Sequence, residues 1–172
     1  MTNKIAIVTG AGQGMGRSVA MKLASEGNRI IVNDVNSEQA DSTVSKINAL
    51  GGKAYPNNAD VTSHDEVTNM ADQCLTLYGN IHILVNNAGV LRPTKVIDIE
   101  EQEWDWVIGV NLKGTYLCSR AVLPAMQDAG WGRIVNFSST AGKSTSTVGG
   151  AHYTAAKAGI LGFTRHLSRE AA

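Results

Sequence analysis

The sequence has few cysteines, no net charge and no long apolar run. Its two cysteines, Cys74 and Cys118, are far apart in 172 residues and form no ligand or redox motif. We therefore expect both to be small, buried apolar residues rather than a structural disulfide. No metal is expected either, because metal-ligand spacing is missing among the four histidines, His64, His82, His152 and His166.

The charge balance excludes several classes of partner. Lysine and arginine equal aspartate and glutamate in number, so the formal net charge is zero. This gives no reason to expect nucleic acid or an anionic membrane as a partner. No apolar run approaches the length of a membrane span, and the first residues lack the apolar stretch and cleavage site of a signal peptide. With 43% hydrophobic and 17% charged residues, we expect a globular, cytoplasmic protein.

Strand-like and helical segments alternate along the chain. This order predicts an α/β fold with a parallel sheet and helices on both faces. The predicted strands lie near Lys4–Thr9, Arg29–Asp34, Lys53–Asn57, Ile81–Val85 and Gly132–Phe137. The predicted helices lie near Met15–Glu26, Ser37–Leu50, Ser63–Tyr78, Asp98 to before Gly130, and from about Ala151. Ser63 with Glu66 and Asp98 with Glu101 resemble capping boxes. No linker marks a second domain, so residues 1–172 are predicted to form one.

A glycine-rich turn joins the first predicted strand to its helix, in the stretch Thr9–Gly16. Glycine allows positive φ and has no Cβ to hold a ligand away from the backbone. Free N–H groups at a helix start, together with the helix dipole, favour an anion there. We interpret the turn as the pyrophosphate site of a dinucleotide. The spacing of Gly10, Gly14 and Gly16 differs from Gly-x-Gly-x-x-Gly, and a tight turn without a ligand is the alternative.

Asp34 ends the second predicted strand, about twenty residues after the glycine turn. A carboxylate there accepts hydrogen bonds from both hydroxyls of an adenosine ribose and repels a 2′-phosphate, which favours NAD over NADP. A solvated acid at a strand end is the alternative. Arg17 is a weak counter-argument, because a nearby arginine can accommodate a 2′-phosphate.

Tyr153 and Lys157 are four residues apart at the start of the last predicted helix, so both lie on one face. A nearby ammonium favours the phenolate form of a tyrosine. Such a tyrosine can exchange a proton with an alcohol oxygen. In isolation, a core-facing tyrosine and a solvated lysine would be the preferred interpretation. His152, next to Tyr153, is either a polar contact or an exposed residue.

Taken together, these motifs resemble the classical short-chain dehydrogenase/reductase family, in that family's order and close to its spacing. The motifs are Thr9–Gly16, Asp60, Asn86-Asn87-Ala88-Gly89, Asn111, Ser139 and Tyr153-x-x-x-Lys157. The resemblance runs along the whole chain. It implies a Rossmann-type doubly wound parallel sheet and an oxidoreductase that transfers a hydride between a nicotinamide cofactor and a secondary alcohol or ketone. It also implies a homo-oligomer, either a dimer or a tetramer.

The resemblance also implies a role for each matching residue. Tyr153 would be the general acid/base, Lys157 would bind the nicotinamide ribose, Ser139 would bind the substrate oxygen, and Asn111 would hold a water in a proton relay. Ser139 is preferred to Ser138 because it stands three residues before Gly142. The residues implied in cofactor binding are Gly10, Gln13, Gly14, Met15, Gly16, Asp34, Asp60, Val61, Asn87, Ala88, Gly89, Tyr153 and Lys157.

The sequence departs from the family pattern in two ways. The loop from Ser139 to Tyr153 is one residue longer than the commonest spacing. The chain also stops at Ala172, whereas the resemblance implies a further C-terminal part, so five strands are expected instead of seven. Either the chain is a fragment, which we prefer, or a second copy covers the open sheet edge. A truncated, catalytically incompetent dinucleotide-binding or scaffold chain is therefore the alternative to an enzyme.

Overall fold

The computed structural model describes residues 3–172 and contains one parallel sheet of five strands. The strands are β1 (Ile5–Thr9), β2 (Arg29–Asn33), β3 (Lys53–Asn57), β4 (Ile83–Asn86) and β5 (Arg133–Asn136). Their spatial order is β3-β2-β1-β4-β5. The winding direction therefore reverses at β1, between β2 and β4, which is where open sheets of this kind bind ligands. The predicted α/β fold of the Rossmann type is confirmed.

Six α-helices flank the sheet. They are α1 (Gly14–Ser25), α2 (Ser37–Ala49), α3 (His64–Tyr78), α4 (Glu101–Ile108), α5 (Gly114–Asp128) and α6 (Ala151–Glu170). Two apolar clusters of buried side chains pack on opposite faces of the sheet. Cys74 and Cys118 are buried in one of them, as expected. Within residues 3–172, no helix is both long and apolar enough to cross a membrane.

Two predicted helix starts have different outcomes. Ser63 precedes α3, and its side chain accepts a hydrogen bond from the Glu66 N–H, as predicted. The prediction that Asp98 opens a helix is wrong. Val96–Asp98 is a 3₁₀ turn, and the backbone is extended at Ile99 and Glu100 before α4 begins.

The helix predicted through Asn111 is interrupted between α4 and α5. Gly109–Lys113 forms a π turn, in which the Gly114 N–H bonds to the Gly109 carbonyl five residues earlier. The Asn111 amide donates to the Val107 carbonyl at 2.8 Å inside this wide turn. Such π turns concentrate at functional sites because they re-aim one side chain. Here the side chain is that of a candidate site residue.

Candidate active site

The glycine turn after β1 is built for close backbone approach. Gly10 and Gly14 have φ of +60° and +54°, which other residues rarely adopt. A Cβ on Gly16 would collide with the Gly10 carbonyl and would lie 2.5 Å from Asn87 Nδ2. A Cβ on Gly10 would lie 2.8 Å from the Ala88 Cα. Gly10 and Gly16 therefore bring the turn against the segment after β4, and Gly14 starts α1.

Asn87 and Thr9 join the ends of β4 and β1. The Asn87 amide donates to the carbonyls of Thr9 and Gly10, each at 2.9 Å. In return, the hydroxyl oxygen of Thr9 accepts from the backbone N–H groups of Asn87 and Ala88, each at 3.1 Å. Thr9 is 1% exposed, so these hydrogen bonds are buried. They hold the two strand ends together at the predicted ligand position.

Asp34 lies beside the glycine turn. Its Oδ2 accepts from the Gly12 N–H at 2.9 Å, and its Oδ1 accepts from the Asn36 N–H at 3.0 Å. Arg17 has other partners. Its Nε donates to Thr43 Oγ1 at 3.0 Å, and its terminal nitrogen donates to the Gly12 carbonyl. Arg17 is thus engaged in holding the turn, while Asp34 keeps further lone pairs for a ligand.

Asp60 is held within its own loop. Its Oδ1 accepts from the Thr62 N–H and the Thr62 hydroxyl, each at 2.8 Å, and its backbone N–H donates to Glu66 at 2.9 Å. Glu66 thus reaches Asp60 instead of completing the predicted capping box at Ser63. Asp60 and Val61 of this loop line a cavity at the carboxyl ends of the strands.

A cavity of about 480 Å³ lies at the carboxyl ends of β1, β2 and β4. Nine of the predicted cofactor residues line it, namely Gly10, Gln13, Met15, Asp34, Asp60, Val61, Asn87, Ala88 and Gly89. Its volume is in the ordinary range for small-molecule sites. The tight glycine backbone, an acid on one side and apolar walls fit a dinucleotide. Of the other four, Gly14 and Gly16 shape the turn, whereas Tyr153 and Lys157 lie outside the lining of this cavity.

The Lys157 ammonium and Asn111 Oδ1 both lie near Gly89. A Cβ on Gly89 would lie 2.8 Å from Asn111 Oδ1 and 3.5 Å from Lys157 Nζ. Lys157 is 5% exposed and donates to the Phe137 carbonyl at 2.8 Å. Burial lowers its pKa to about 8. The Asn111 amide donates to the Val90 and Val107 carbonyls, whereas its buried Oδ1 has no partner in the described residues.

Tyr153 stands one turn before Lys157 on α6. Lys157 Nζ lies 5.7 Å from the centre of the Tyr153 ring, and the backbone of Gly149 packs against that ring. The alternative of a solvated lysine is therefore wrong, because the ammonium is buried next to the tyrosine. His152 is fully buried, so the exposed alternative for it is also wrong.

The two adjacent serines after β5 have different environments. The Ser138 hydroxyl donates to the Lys157 carbonyl at 2.7 Å and is thereby committed to α6. The Ser139 hydroxyl oxygen accepts from the Ala141 N–H at 3.1 Å, which leaves its own proton available. Of the two, Ser139 is the one able to donate to a substrate oxygen.

Comparison with known proteins gives the same family as the motifs. The sequence profile described as short chain dehydrogenase matches residues 4–172. The chain belongs to the short-chain dehydrogenase family. This is a family of oxidoreductases that use a nicotinamide cofactor.

Curated relatives of this family match nearly the whole chain. A 3-oxoacyl-(acyl-carrier-protein) reductase, FabG, of Staphylococcus epidermidis is 40% identical over 99% of the chain. A (2S)-((R)-hydroxy(phenyl)methyl)succinyl-CoA dehydrogenase subunit, BbsD, of Thauera aromatica is 39% identical over 98% of the chain. The chain spans 70% and 67% of the lengths of these two relatives.

A solved structure of the family has the same fold. The short chain dehydrogenase from Mycobacterium avium superposes with a TM-score of 0.89 at 37% identity. The match covers 95% of this chain and 63% of that one. The sheet and the helices described above are therefore those of a short-chain dehydrogenase.

Several residues of the site were not found from sequence. Asn33, one residue before Asp34, is 1% exposed, lines the cavity, and donates to Asn57 Oδ1 and the Ala59 carbonyl. The rule that ligands bind at strand ends points to it as much as to Asp34. Trp106 and Val110 also line the cavity, but no sequence pattern separated them from ordinary helix residues.

Proposed function

We propose that the chain catalyses reversible hydride transfer between NAD and a secondary alcohol or ketone. One observation carries the proposal: the Lys157 ammonium is buried beside Tyr153 and lies close to Gly89, which lines the cavity. Burial of an ammonium costs free energy unless the group is hydrogen-bonded, and buried charged groups of this kind cluster at functional sites. The single domain over residues 1–172 would then hold both the cofactor and the catalytic residues.

The chain's own groups would handle the proton. A nicotinamide cofactor, held by the residues that line the cavity, would supply the acceptor for the hydride of the carbinol carbon in alcohol oxidation. Tyr153 takes the proton of the hydroxyl as its O–H bond breaks, while Ser139 donates a hydrogen bond to the same oxygen. Lys157 would bind the nicotinamide ribose, and Asn111 Oδ1 is available to a water that carries the proton away. Ketone reduction runs these steps in reverse.

The preference for NAD is supported by the positions of Asp34 and Arg17. Asp34 directly follows β2 and lines the cavity, where its carboxylate would accept hydrogen bonds from ribose hydroxyls and repel a 2′-phosphate. Arg17 is bound to Thr43 and the Gly12 carbonyl. Because that guanidinium already has two partners, it is less available to bind a 2′-phosphate.

The substrates named for two relatives indicate a substrate class to test. A 3-oxoacyl thioester carries a ketone, and the succinyl-CoA substrate carries a secondary alcohol on a thioester. We infer that a 3-hydroxyacyl or 3-oxoacyl thioester is the first substrate class to test on this chain. We also infer a homo-oligomer that uses α5 and α6, since Tyr116 is 45% exposed and packs edge-on against Phe163 across these helices.

The test separates binding from chemistry. NADH and NADPH are titrated into the chain by nicotinamide fluorescence, and turnover is measured with NAD and a panel of secondary alcohols and 3-hydroxyacyl thioesters. Tyr153→Phe should keep NADH binding and lower kcat at least 10²-fold, because only the proton-transfer group is lost. Turnover that survives in Tyr153→Phe would contradict the proposed role. Tight NADH binding without turnover would favour the nonenzymatic alternative.

A further inference from the structure

The start of helix α6 lacks the usual side-chain cap. Gly150 occupies the N-cap position and has no side chain to accept from the first backbone N–H groups. No acidic residue lies in the first turn. The Tyr153 N–H, at the third helical position, instead donates to Nδ1 of the neighbouring His152 at 2.9 Å. The imidazole therefore accepts a hydrogen bond that the side chain of a serine or aspartate at the N-cap usually accepts.

This hydrogen bond determines where the imidazole proton is. Nδ1 accepts from an N–H and so carries no proton of its own. The ring proton is then on Nε2, which lies 2.9 Å from Glu103 Oε1. Nε2 donates to the carboxylate, and one imidazole joins the Tyr153 backbone to helix α4. His152 is fully buried, so its Nδ1 bond to the Tyr153 N–H is shielded from water, whereas the Glu103 carboxylate is partly exposed.

Glu103 is itself held by several groups. A hydrogen bond from Thr94 and then the one from His152 lower the pKa of its carboxyl, with a smaller contribution from the charge of Arg92. The Arg92 carbonyl also accepts from the Gly150 N–H at 2.6 Å. A Cβ on Gly150 would lie 2.6 Å from the Thr94 carbonyl and 2.7 Å from His152 Cε1. The segment 92–94, Glu103 and the first turn of α6 thus form one packed unit.

We propose that His152 and Glu103 are positioning residues that hold the backbone of Tyr153 where its phenol reaches the substrate. The inference rests on the proposed function, because it concerns the geometry of the same tyrosine. Neither residue lines the cofactor cavity. Substituting either one should therefore lower kcat without weakening cofactor binding. Misplacing a catalytic group by about 1 Å can lower the rate about 10²-fold.

Four variants test the proposal. His152→Phe keeps a flat ring but removes the amide acceptor, and Glu103→Leu removes the carboxylate; each should lower kcat about 10- to 100-fold and leave the Kd for NADH within about 3-fold. Glu103→Gln keeps an oxygen acceptor for Nε2–H and should recover most of the lost kcat. His82→Phe is the matched control, because His82 Nδ1 also accepts a backbone N–H, from Ile5 at 3.2 Å, outside the cavity. It should lower stability without lowering kcat.

A spectroscopic readout keeps this test independent of turnover. In ¹⁵N NMR the His152 ring should carry its proton on Nε2. In His152→Phe the Tyr153 amide should exchange faster and the ¹³C signal of its phenol carbon should move, while the signal of Tyr78 stays in place. If the wild-type chain turns over no substrate but these changes occur, the proposed function fails, while the part of the inference that concerns the Tyr153 backbone is supported. Unmoved Tyr153 signals, or equal kcat losses in His82→Phe and His152→Phe, would overturn the inference.

Discussion

The ammonium of Lys157 donates a hydrogen bond to the backbone carbonyl of Phe137 at 2.8 Å. Phe137 directly follows β5, so this bond ties α6 to the end of the sheet. Ser138 joins the same two segments through a second hydrogen bond, in which the donor is on the loop and the acceptor is on α6. Its hydroxyl donates to the Lys157 carbonyl. A Cβ on Gly142 would lie 2.6 Å from that carbonyl, which shows how closely the loop after β5 packs on α6.

Burial of Lys157 predicts a specific dependence of stability on pH. Burial lowers its pKa from 10.5 to about 8, so between these values the unfolded chain binds more protons than the folded one. The free energy of unfolding of the wild type, relative to Lys157→Met, should therefore rise as the pH increases from about 8 to about 10.5. The full difference is on the order of 3 kcal/mol.

Urea unfolding of both proteins across that pH range measures the effect. Below about pH 8 the two curves should run parallel, because Lys157 is then protonated in both states. Lys22→Met serves as the control, since Lys22 is exposed and pairs with Glu26 on the surface of α1. A difference between the wild type and Lys157→Met that stays constant over the range would refute the prediction.

Asp34→Ala should change the cofactor preference. Without the carboxylate, NADH loses its ribose acceptor and NADPH loses a repulsive charge, so the ratio of their Kd values should move about tenfold or more towards NADPH. Fluorescence titration with both cofactors measures this ratio. Glu38→Ala is the control, because Glu38 is an exposed acid in the first turn of α2 and does not line the cavity. An unchanged ratio in Asp34→Ala would count against the proposed role.

Two glycines of the same turn should differ in what an added methyl group does. In Gly14→Ala the methyl group meets no atom within 4 Å, so only the positive φ is strained, at about 1 kcal/mol. In Gly16→Ala the methyl group collides with the Gly10 carbonyl, which is fixed backbone. That substitution should cost about 1–3 kcal/mol and also weaken NADH binding, because Gly10 must move.

Unfolding curves and NADH titrations of the two alanine variants give this comparison directly. The decisive result is their order. Gly14→Ala should bind NADH nearly as well as the wild type and Gly16→Ala should not. Equal binding by both variants would show that the close contact with Asn87 and Gly10 does not shape the site.

Asn111→Leu should destabilise the fold and impair catalysis together. The substitution removes the donor to the Val90 and Val107 carbonyls and leaves two backbone groups without that partner, which costs about 2–3 kcal/mol. The same change removes the buried Oδ1 that is available to a water of the proton relay, so kcat should fall at every pH tested. Chemical denaturation and steady-state kinetics measure the two effects. Unchanged stability would show that the π turn does not depend on this amide.

The sequence alone determined the architecture and the candidate residues. Alternation of apolar strands with amphipathic helices is local information, and it placed the five strands correctly to within two residues at each end. Two motifs could be recognised because steric and chemical demands limit their positions to few residue types, namely Thr9–Gly16 and Tyr153-x-x-x-Lys157. The family followed from the order of these motifs, and the profile match over residues 4–172 confirmed it.

Only the tertiary structure decided how those residues are held. Glu103 and His152 are 49 residues apart, and Lys157 and Phe137 are 20 apart, so no local pattern could pair them. The start of α4 was predicted wrongly because Asp98 is a good cap in isolation, whereas here it ends a 3₁₀ turn. Burial of His152 and the hydrogen bond from Arg17 to Thr43 depend on packing between elements distant in the chain, which a linear sequence does not display.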